Sequence, residues 1–542
     1  MLKIKVRNYG LIRYLMIGLM GVVFVGCSSG SDKPVKYDQL IINGRVLDGT
    51  GESWSEDAIA IKDDKIVKIG DITEAAADDT IDAEGLYVTP GFIDEHSHAA
   101  SGLAKAELSE GKPLLLEGIT TIVANPDGSG AVDQKKQREK LLENGIGVNV
   151  AQLVPFGSIR KMVMGMEDRE PTAEEMDEME QLVEEGMKHG AFGLSTGVFY
   201  SPQSYASTEE IVGLAKVAAE YGGVYQSHIR DESNYSVGVR EAVNEVINIA
   251  EKAEILGIVD HIKALGPPVW GLSKQIVADI EQARASGVEI FASQYPYKAS
   301  ATSLIAALVP RWAEEGGYKA LVKRLKDSDI LPEVKADMED NLARRGGADR
   351  IQFRRYRPDS TIEGKTLEEV AEEQDKTPLD MAVDLIKAGK PSIISFNMDE
   401  DDVNRFMQQP WTMTCSDGGL VKFGSGVPHP RNYGTFPRKI RKYVKEEHVL
   451  DLPAAIRSMT SLPAEVYNMD NRGVLREGAV ADITIFDLDR MNDKATFQEP
   501  HQYSEGVEYV FVNGKLAVDE GELTDKKGGD VLSHTFDETS SD

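Results

Sequence analysis

The chain has 542 residues, 41% of them hydrophobic, enough for a barrel-sized core plus a second module. Ninety Asp and Glu residues oppose 60 Lys and Arg, a net charge of −30. That balance excludes a nucleic-acid partner, which needs clustered cations on phosphate, and docking on anionic lipid through a basic face.

The first 33 residues stand apart. Lys3, Lys5, Arg7 and Arg13 precede an apolar run, Leu15 to Val25, that is shorter than a membrane span, and Phe24-Val25-Gly26-Cys27 then leads into Ser28-Ser29-Gly30-Ser31. This is the expected pattern of a bacterial lipoprotein signal; the alternative is a plain transmembrane anchor. Cys27 is then lipidated, the protein is exported to the cell envelope, and it touches the membrane only through that lipid. The one other cysteine is Cys415. No internal disulfide is expected, and Cys415 reads as a core residue.

From Pro34 to Asp71 short alternating strands appear, such as Leu40-Ile41-Ile42 and Lys65-Ile66-Val67-Lys68-Ile69, and the texture returns in Ala481–Asp487 and Val507–Gly514. Both ends are therefore expected to build one β-module, 34–88 with 466–527. Between them the period changes. Thr172-Ala-Glu-Glu175 is a capping box, helical spacing follows, and Gly190 stops the helix. Ala191 to Ser195 then reads as a strand. Ser207-Thr-Glu-Glu210 opens the next unit, which ends in the strand Val224–His228, and further strands follow at Ile258–Ile262 and Val288–Ser293. Alternating strands and helices at this spacing predict a parallel sheet, open or closed, over 89–465. Residues from about 306 to 389 are too many for one crossover and are expected to form an inserted subdomain. Ser392–Asn397 is a surplus strand, placed outside the main sheet, and the polar tail after Gly528 reads as frayed.

His96 and His98 follow Pro90-Gly91-Phe92-Ile93-Asp94. Two residues apart on a strand, their rings share one face and suit a divalent metal. His228 and His261 recur late in successive strands, and Asp417 ends another apolar strand, where a carboxylate is costly to bury without a metal or a base role.

Read in order, Gly91-Phe-Ile-Asp-Glu-His-Ser-His98, Gly118-Ile-Thr-Thr121, Gly190 to Pro202, His228-Ile-Arg-Asp-Glu232, His261-Ile-Lys263, Tyr295-Pro-Tyr297, Ser416-Asp-Gly418, His429-Pro-Arg431, Gly434-Thr-Phe-Pro437 and Met459 to Ala464 make a pattern. It resembles the amidohydrolase superfamily and, within it, the N-acyl-D-amino-acid deacylase (D-aminoacylase) family, over roughly residues 36–525. The resemblance implies an α/β fold: a (β/α)8 TIM barrel with a small β-sandwich built from both chain ends. Nine strand candidates then compete for eight barrel places. It also implies Zn on His228 and His261, with His96, His98 and Asp417 close by for a second position, and proton transfer by Asp417. Many superfamily members bridge two metals with a carbamylated Lys on the fourth strand. Ala191 to Gly197 holds none, which disfavours cyclic-amide hydrolases. The deacylases often supply a Cys after the Gly-Ile-Thr-Thr strand. Here the segment reads Ala124-Asn125-Pro126-Asp127-Gly128, so Asp127 or Asn125 stands in, and oxygen in place of sulfur opens the site to Mn or Co as well as Zn.

The implied reaction is hydrolysis of the amide of an N-acyl-D-amino acid to a carboxylate and the free amino acid. Candidates for the oxyanion are Tyr200, Ser195 or a metal edge. Lys263 and Arg431 are candidate clamps for the substrate carboxylate, with Tyr297 and Ser300 as further hydrogen-bonding groups. The alternatives are a dipeptidase or cyclic-amide hydrolase, and a non-catalytic solute-binding lipoprotein.

Overall fold

The computed structural model describes residues 36–72 and 76–535, so the leader and the expected lipidation site at Cys27 lie outside the described residues. The middle of the chain forms a ring of eight parallel strands: β1 (Phe92–Ser97), β2 (Ile119–Ala124), β3 (Asn149–Gln152, resumed after Leu153 as Val154–Pro155), β4 (Gly193–Gly197), β5 (Val224–His228), β6 (Leu256–Val259), β7 (Ile290–Gln294) and β8 (Thr412–Thr414). Every residue of β1, β2, β4 and β5 is buried, because helices cover the outside and side chains fill the inside. The helices start where local chemistry says they should. Thr172 closes a capping box on Ala173–Lys188, Ser207 caps Thr208–Glu220, and Gly190 takes the left-handed conformation (φ 89°) that ends the first of these.

Between β8 and β1 the ring is closed by a clasp. The Asp94 carboxylate accepts from Ser416 N (2.7 Å) and Oγ (2.6 Å), Asp417 N donates to His96 O (3.0 Å), and His98 N donates to Gly418 O (2.8 Å). The clasp sets the Asp417 segment beside the His-x-His strand.

Ser392–Ser395 does lie outside the ring. It is the central strand of a three-stranded antiparallel sheet, flanked by Ser300–Ser303 and Ile351–Arg355. The inserted unit therefore starts earlier and ends later than 306–389, and it has its own core around Leu304, Phe353 and Ile393. The two ends of the chain meet in a second sheet in which Tyr87–Pro90 pairs antiparallel with Ile483–Phe486, and Ile59, Ile61, Val88, Ile483 and Phe511 are buried between this sheet and the one begun by Lys36–Ile42. Tyr87–Pro90 runs straight into β1, so the paired ends anchor the first barrel strand.

The tail departs from expectation. Asp530 O accepts from Val150 N (2.8 Å), Leu532 N donates to Val150 O (2.8 Å), Val531 is buried, and Arg138 donates to Ser533 Oγ (2.7 Å). Backbone pairing, to which hydropathy is blind, holds the segment against β3.

One buried ion pair ties the outer helices to the barrel mouth. Arg160, on the helix Phe156–Met164, donates to Glu210 Oε1 (2.9 Å), to Pro202 O (3.2 Å) and to Arg169 O (2.8 Å), and both charged side chains are almost wholly buried. Arg160→Met is expected to lower the unfolding free energy by about 3 kcal/mol in urea denaturation, because it strands a buried carboxylate. A change below about 1 kcal/mol would show that this network contributes little.

Candidate metal centre at the barrel mouth

Four histidines and two aspartates meet at the C-terminal end of the ring, where barrel enzymes build their sites. His96 lies on β1 and His98 one residue past its end, Asp127 comes from the loop after β2, and His228 from the last position of β5. His261 lies two residues past β6 and Asp417 three past β8. Three of the six have positive φ: Asp127 (55°), His261 (33°) and Asp417 (48°). Such geometry is costly for a residue with a Cβ, and it turns each side chain inward.

Asp127 is the hub. Its Oδ1 lies 3.5 Å from His96 Nε2, 3.4 Å from His228 Nδ1 and 3.5 Å from His261 Nε2, and its Oδ2 lies 3.4 Å from His98 Nε2. Asp417 Oδ1 closes the group at 3.3 Å from His98 Nε2 and 4.0 Å from His96 Nε2. These separations are long for hydrogen bonds. They match the ~3.4 Å edge between two ligands that each sit ~2.1 Å from a tetrahedral ion. The buried atoms His96 Nε2, His228 Nδ1 and Nε2, and Asp127 Oδ1 have no hydrogen-bond partner among the described residues. Orphaned imidazole nitrogens around a carboxylate are the donor set of a divalent metal, so the residues fit one ion or a pair. The donor groups are His96–Asp127–His261, His96–His98–Asp417 and His228–Glu232–His261, and Asp127 Oδ1 lies within 3.5 Å of His96, His228 and His261 nitrogens, so Asp127 would be a shared ligand.

Charge in the cluster is tightly coupled. Burial would raise the Asp127 pKa, but His96 and the other three imidazoles hold it well below the carboxylate range. The Asp127 and Asp417 carboxylates beside the His98 ring favour its protonated form and raise its pKa to about 9. Burial would likewise raise the Asp417 pKa, but Arg431, whose Nη2 is 2.9 Å away, and His261 keep it well down. Outer groups fix the rings. His96 Nδ1 is 3.2 Å from Asp260 Oδ2, and His261 Nδ1 is 3.3 Å from Glu232 Oε1 and 2.7 Å from Lys263 Nζ.

The other expected residues divide. Arg431, Lys263, Ser300 and Tyr200 line a cavity of about 610 Å3 together with His98, Asp127, His228, His261 and Asp417, and His96 lies buried behind them. Lys263 is buried and ion-paired to Glu232, so its charge is already engaged. Ser300 Oγ lies 3.2 Å from the Asn397 side-chain amide. The Tyr200 ring is 4.8 Å from that of His228, and its hydroxyl is 3.4 Å from Thr302 Oγ1. Two residues are not in the cavity. Tyr297 N donates to Tyr295 O (3.0 Å), and this tight turn swings the Tyr297 ring onto His429 (5.0 Å) and under Arg438 (4.7 Å), leaving Tyr295 to face the site. Ser195 Oγ donates to Asn125 O (2.6 Å) and accepts from Gly128 N (3.2 Å), so it braces the Asp127 loop and has no access to an oxyanion.

The choice between Asn125 and Asp127 is also settled. Asn125 is locked to Gln137 and to Leu153 O, away from the cluster. Cys415 is fully buried among Tyr295, Met398 and Tyr443, outside the donor groups. Close packing of the loop requires glycine at Gly128, where a Cβ would lie 2.1 Å from Gln203 Oε1, and at Gly197, where it would lie 2.4 Å from Asp127 O. Sequence reasoning missed Glu232 as a partner of His261 and missed Arg354. The first had a signal, lying four residues after His228. Arg354, in a charged stretch of the insertion, had none. Its side chain lines the cavity with no hydrogen bond or ion pair among the described residues, and burial and the neighbouring Arg431 bring its pKa down to about 10.

If Ser195 braces the loop, Ser195→Ala is expected to weaken divalent-ion binding about tenfold, measured by competition with a chromogenic chelator. Full metal affinity with a lowered kcat would instead assign Ser195 to the oxyanion.

Residues 79–518 match the model of the amidohydrolase family. The chain is 31% identical to the D-aminoacylase of Alcaligenes xylosoxydans xylosoxydans, over 92% of this chain and 98% of the relative. It is 33% identical to the N-acyl-D-glutamate deacylase of the same organism, over 88% and 93%. The crystal structure of N-acyl-D-glutamate deacylase from Bordetella bronchiseptica, complexed with zinc and a phosphonate mimic of the tetrahedral intermediate, superposes with a TM-score of 0.79 at 31% identity, covering 92% of this chain and all of that one. On the ring, the metal-ligand cluster and these matches together, the chain belongs to the amidohydrolase family.

Proposed function

We propose that this chain is a divalent-metal-dependent hydrolase that cleaves the amide of N-acyl-D-amino acids to a carboxylate and a free D-amino acid. The observation that carries the reading is one cavity holding both the Asp127–imidazole cluster and two under-used guanidinium groups, Arg431 and Arg354. The D configuration is supported by the named activities of the relatives. A volume of about 610 Å3 suits a small N-acylated amino acid.

His96, His98, Asp127, His228, His261 and Asp417 would hold zinc, or manganese or cobalt, and an ion there activates water and polarises the amide carbonyl. The chain's own groups do the rest. Asp417 is ionised at neutral pH, so it can accept a proton from the attacking water and pass it to the leaving nitrogen. Arg431 holds that carboxylate in place through Nη2, while its buried Nε and Nη1 have no hydrogen-bond partner among the described residues. Those donors, with the unpaired Arg354 beside them, form the clamp for the substrate carboxylate. Lys263 passes from clamp to support, pinning Glu232 behind His261. Burial, first, and Asp127 raise the Tyr200 pKa, so its hydroxyl stays protonated and can donate to the developing oxyanion. The proposal also places the mature protein at the cell envelope on a lipid at Cys27, supported by the charged, apolar and Cys-Ser sequence of the leader.

The test is release of free amino acid from matched N-acetyl-D and N-acetyl-L panels, with Zn, Mn or Co and with a chelator control. Chelator-sensitive release from the D panel supports the reading. No release from either panel, with metal bound, contradicts it and points to dipeptides or cyclic amides. Asp417→Asn is expected to cut kcat at least about a thousandfold with metal content near normal. Arg354→Met is expected to raise KM about tenfold or more for carboxylate substrates and little for their carboxamides. An equal loss on both would make Arg354 structural.

A further inference from the structure

The catalytic cavity has a larger neighbour, of about 1170 Å3. It runs from His98 along the helix Gln134–Leu142 to Glu143, and it shares His98, Ser129, Ser158 and Lys161 with the catalytic cavity. The surface it presents is largely carbon, from Ala100, Ala104, Pro126, Ala131, Val132 and Met162. Met162 is 59% exposed, the most exposed of the large hydrophobic residues among the described ones. Lys136, Glu139, Lys140 and Glu143 form one rim, so the gallery is an apolar floor with a charged edge.

Its placement relative to the clamp gives it an occupant. A substrate has its carboxylate at Arg431 and Arg354, which line the catalytic cavity alone. Its scissile carbonyl lies at the imidazole cluster. The side chain leaves from the carbon that bears the carboxylate, on the clamp side. The acyl substituent leaves from the carbonyl carbon itself, and the continuous apolar space from there opens over His98. An acetyl group would leave all of that space unused. We infer that the gallery binds the acyl chain of the substrate, and that this enzyme takes amino acids carrying a medium or long unbranched fatty-acyl group. The groove follows the helix from Asp133 to Glu143, ~15 Å of length, which an extended alkyl chain can fill. The inference rests on the deacylase reading and names its substrate class.

The experiment compares N-acetyl, N-hexanoyl, N-decanoyl and N-dodecanoyl derivatives of one D-amino acid in the metal-loaded protein. kcat/KM is expected to rise about twofold per added methylene, less than full burial would give because one side of the groove is open, and to level off once the chain outruns the helix. Ala104→Trp and Met162→Lys, both in the gallery lining, are expected to flatten that slope, with the acetyl substrate as the internal reference. Calorimetric binding of the decanoyl compound to Asp417→Asn should show the same preference over acetyl without turnover. Hydrolysis of the acetyl substrate with a flat or falling slope would overturn the gallery and leave the deacylase reading intact, as would an unchanged slope in both wall variants. Tighter binding of decanoyl than acetyl with no hydrolysis of either would support the gallery and overturn the deacylase reading.

Discussion

The structure depends on keeping one carboxylate, Asp127, ionised where water barely reaches. An isolated buried carboxylate would take up a proton, because burial disfavours its charge. Here four imidazoles surround it, and they more than offset that cost. Positive charge between the nitrogens and the oxygens satisfies both, and a divalent ion would supply it without protonating the rings. The backbone strain at Asp127, His261 and Asp417 is the conformational cost of aiming three chain segments at one point, and it is sustained by rigid surroundings. Ser195 braces the Asp127 loop, Glu232 and Lys263 back His261, and Arg431 holds Asp417.

The larger architecture delivers those segments. The sheet made by both chain ends feeds Tyr87–Pro90 directly into β1 and so fixes His96 and His98. The Asp94–Ser416 clasp brings Asp417 to the same end of the ring. The insertion contributes Arg354, the one cation of the proposed clamp that comes from outside the barrel proper. Ligation is thus entrusted to the ring, and recognition of the substrate carboxylate is shared between the ring and its insertion. Such a division leaves the insertion free to change what is recognised without disturbing the metal ligands.

Features governed by local chemistry were legible in the sequence. The His-x-His spacing, the capping box at Thr172, the helix start at Ser207, the strand–helix period and the surplus strand at Ser392 all follow from spacing along the chain. Features governed by distant contacts were not. Ser195 sits on a barrel strand, as an oxyanion donor might, but it is used up by a loop 70 residues away in sequence. Tyr297 is turned out of the cavity by a bend after β7 that the Tyr-Pro-Tyr sequence does not announce. Lys263 has the right position for a clamp, yet Glu232 claims its charge. The polar tail is held by backbone hydrogen bonds, which leave no compositional trace. Arg354 is brought over the mouth only by the pairing of the inserted sheet.

The most direct test of the central claim is a calorimetric titration of chelator-stripped protein with zinc, in the wild type, in Asp127→Ala and in Asp127→Cys. If Asp127 is the shared ligand, its loss should weaken zinc binding at least about a hundredfold, and the thiolate should restore it with a stronger preference for zinc over manganese. Wild-type zinc affinity in Asp127→Ala would show that the imidazoles bind metal without it, and would contradict the account.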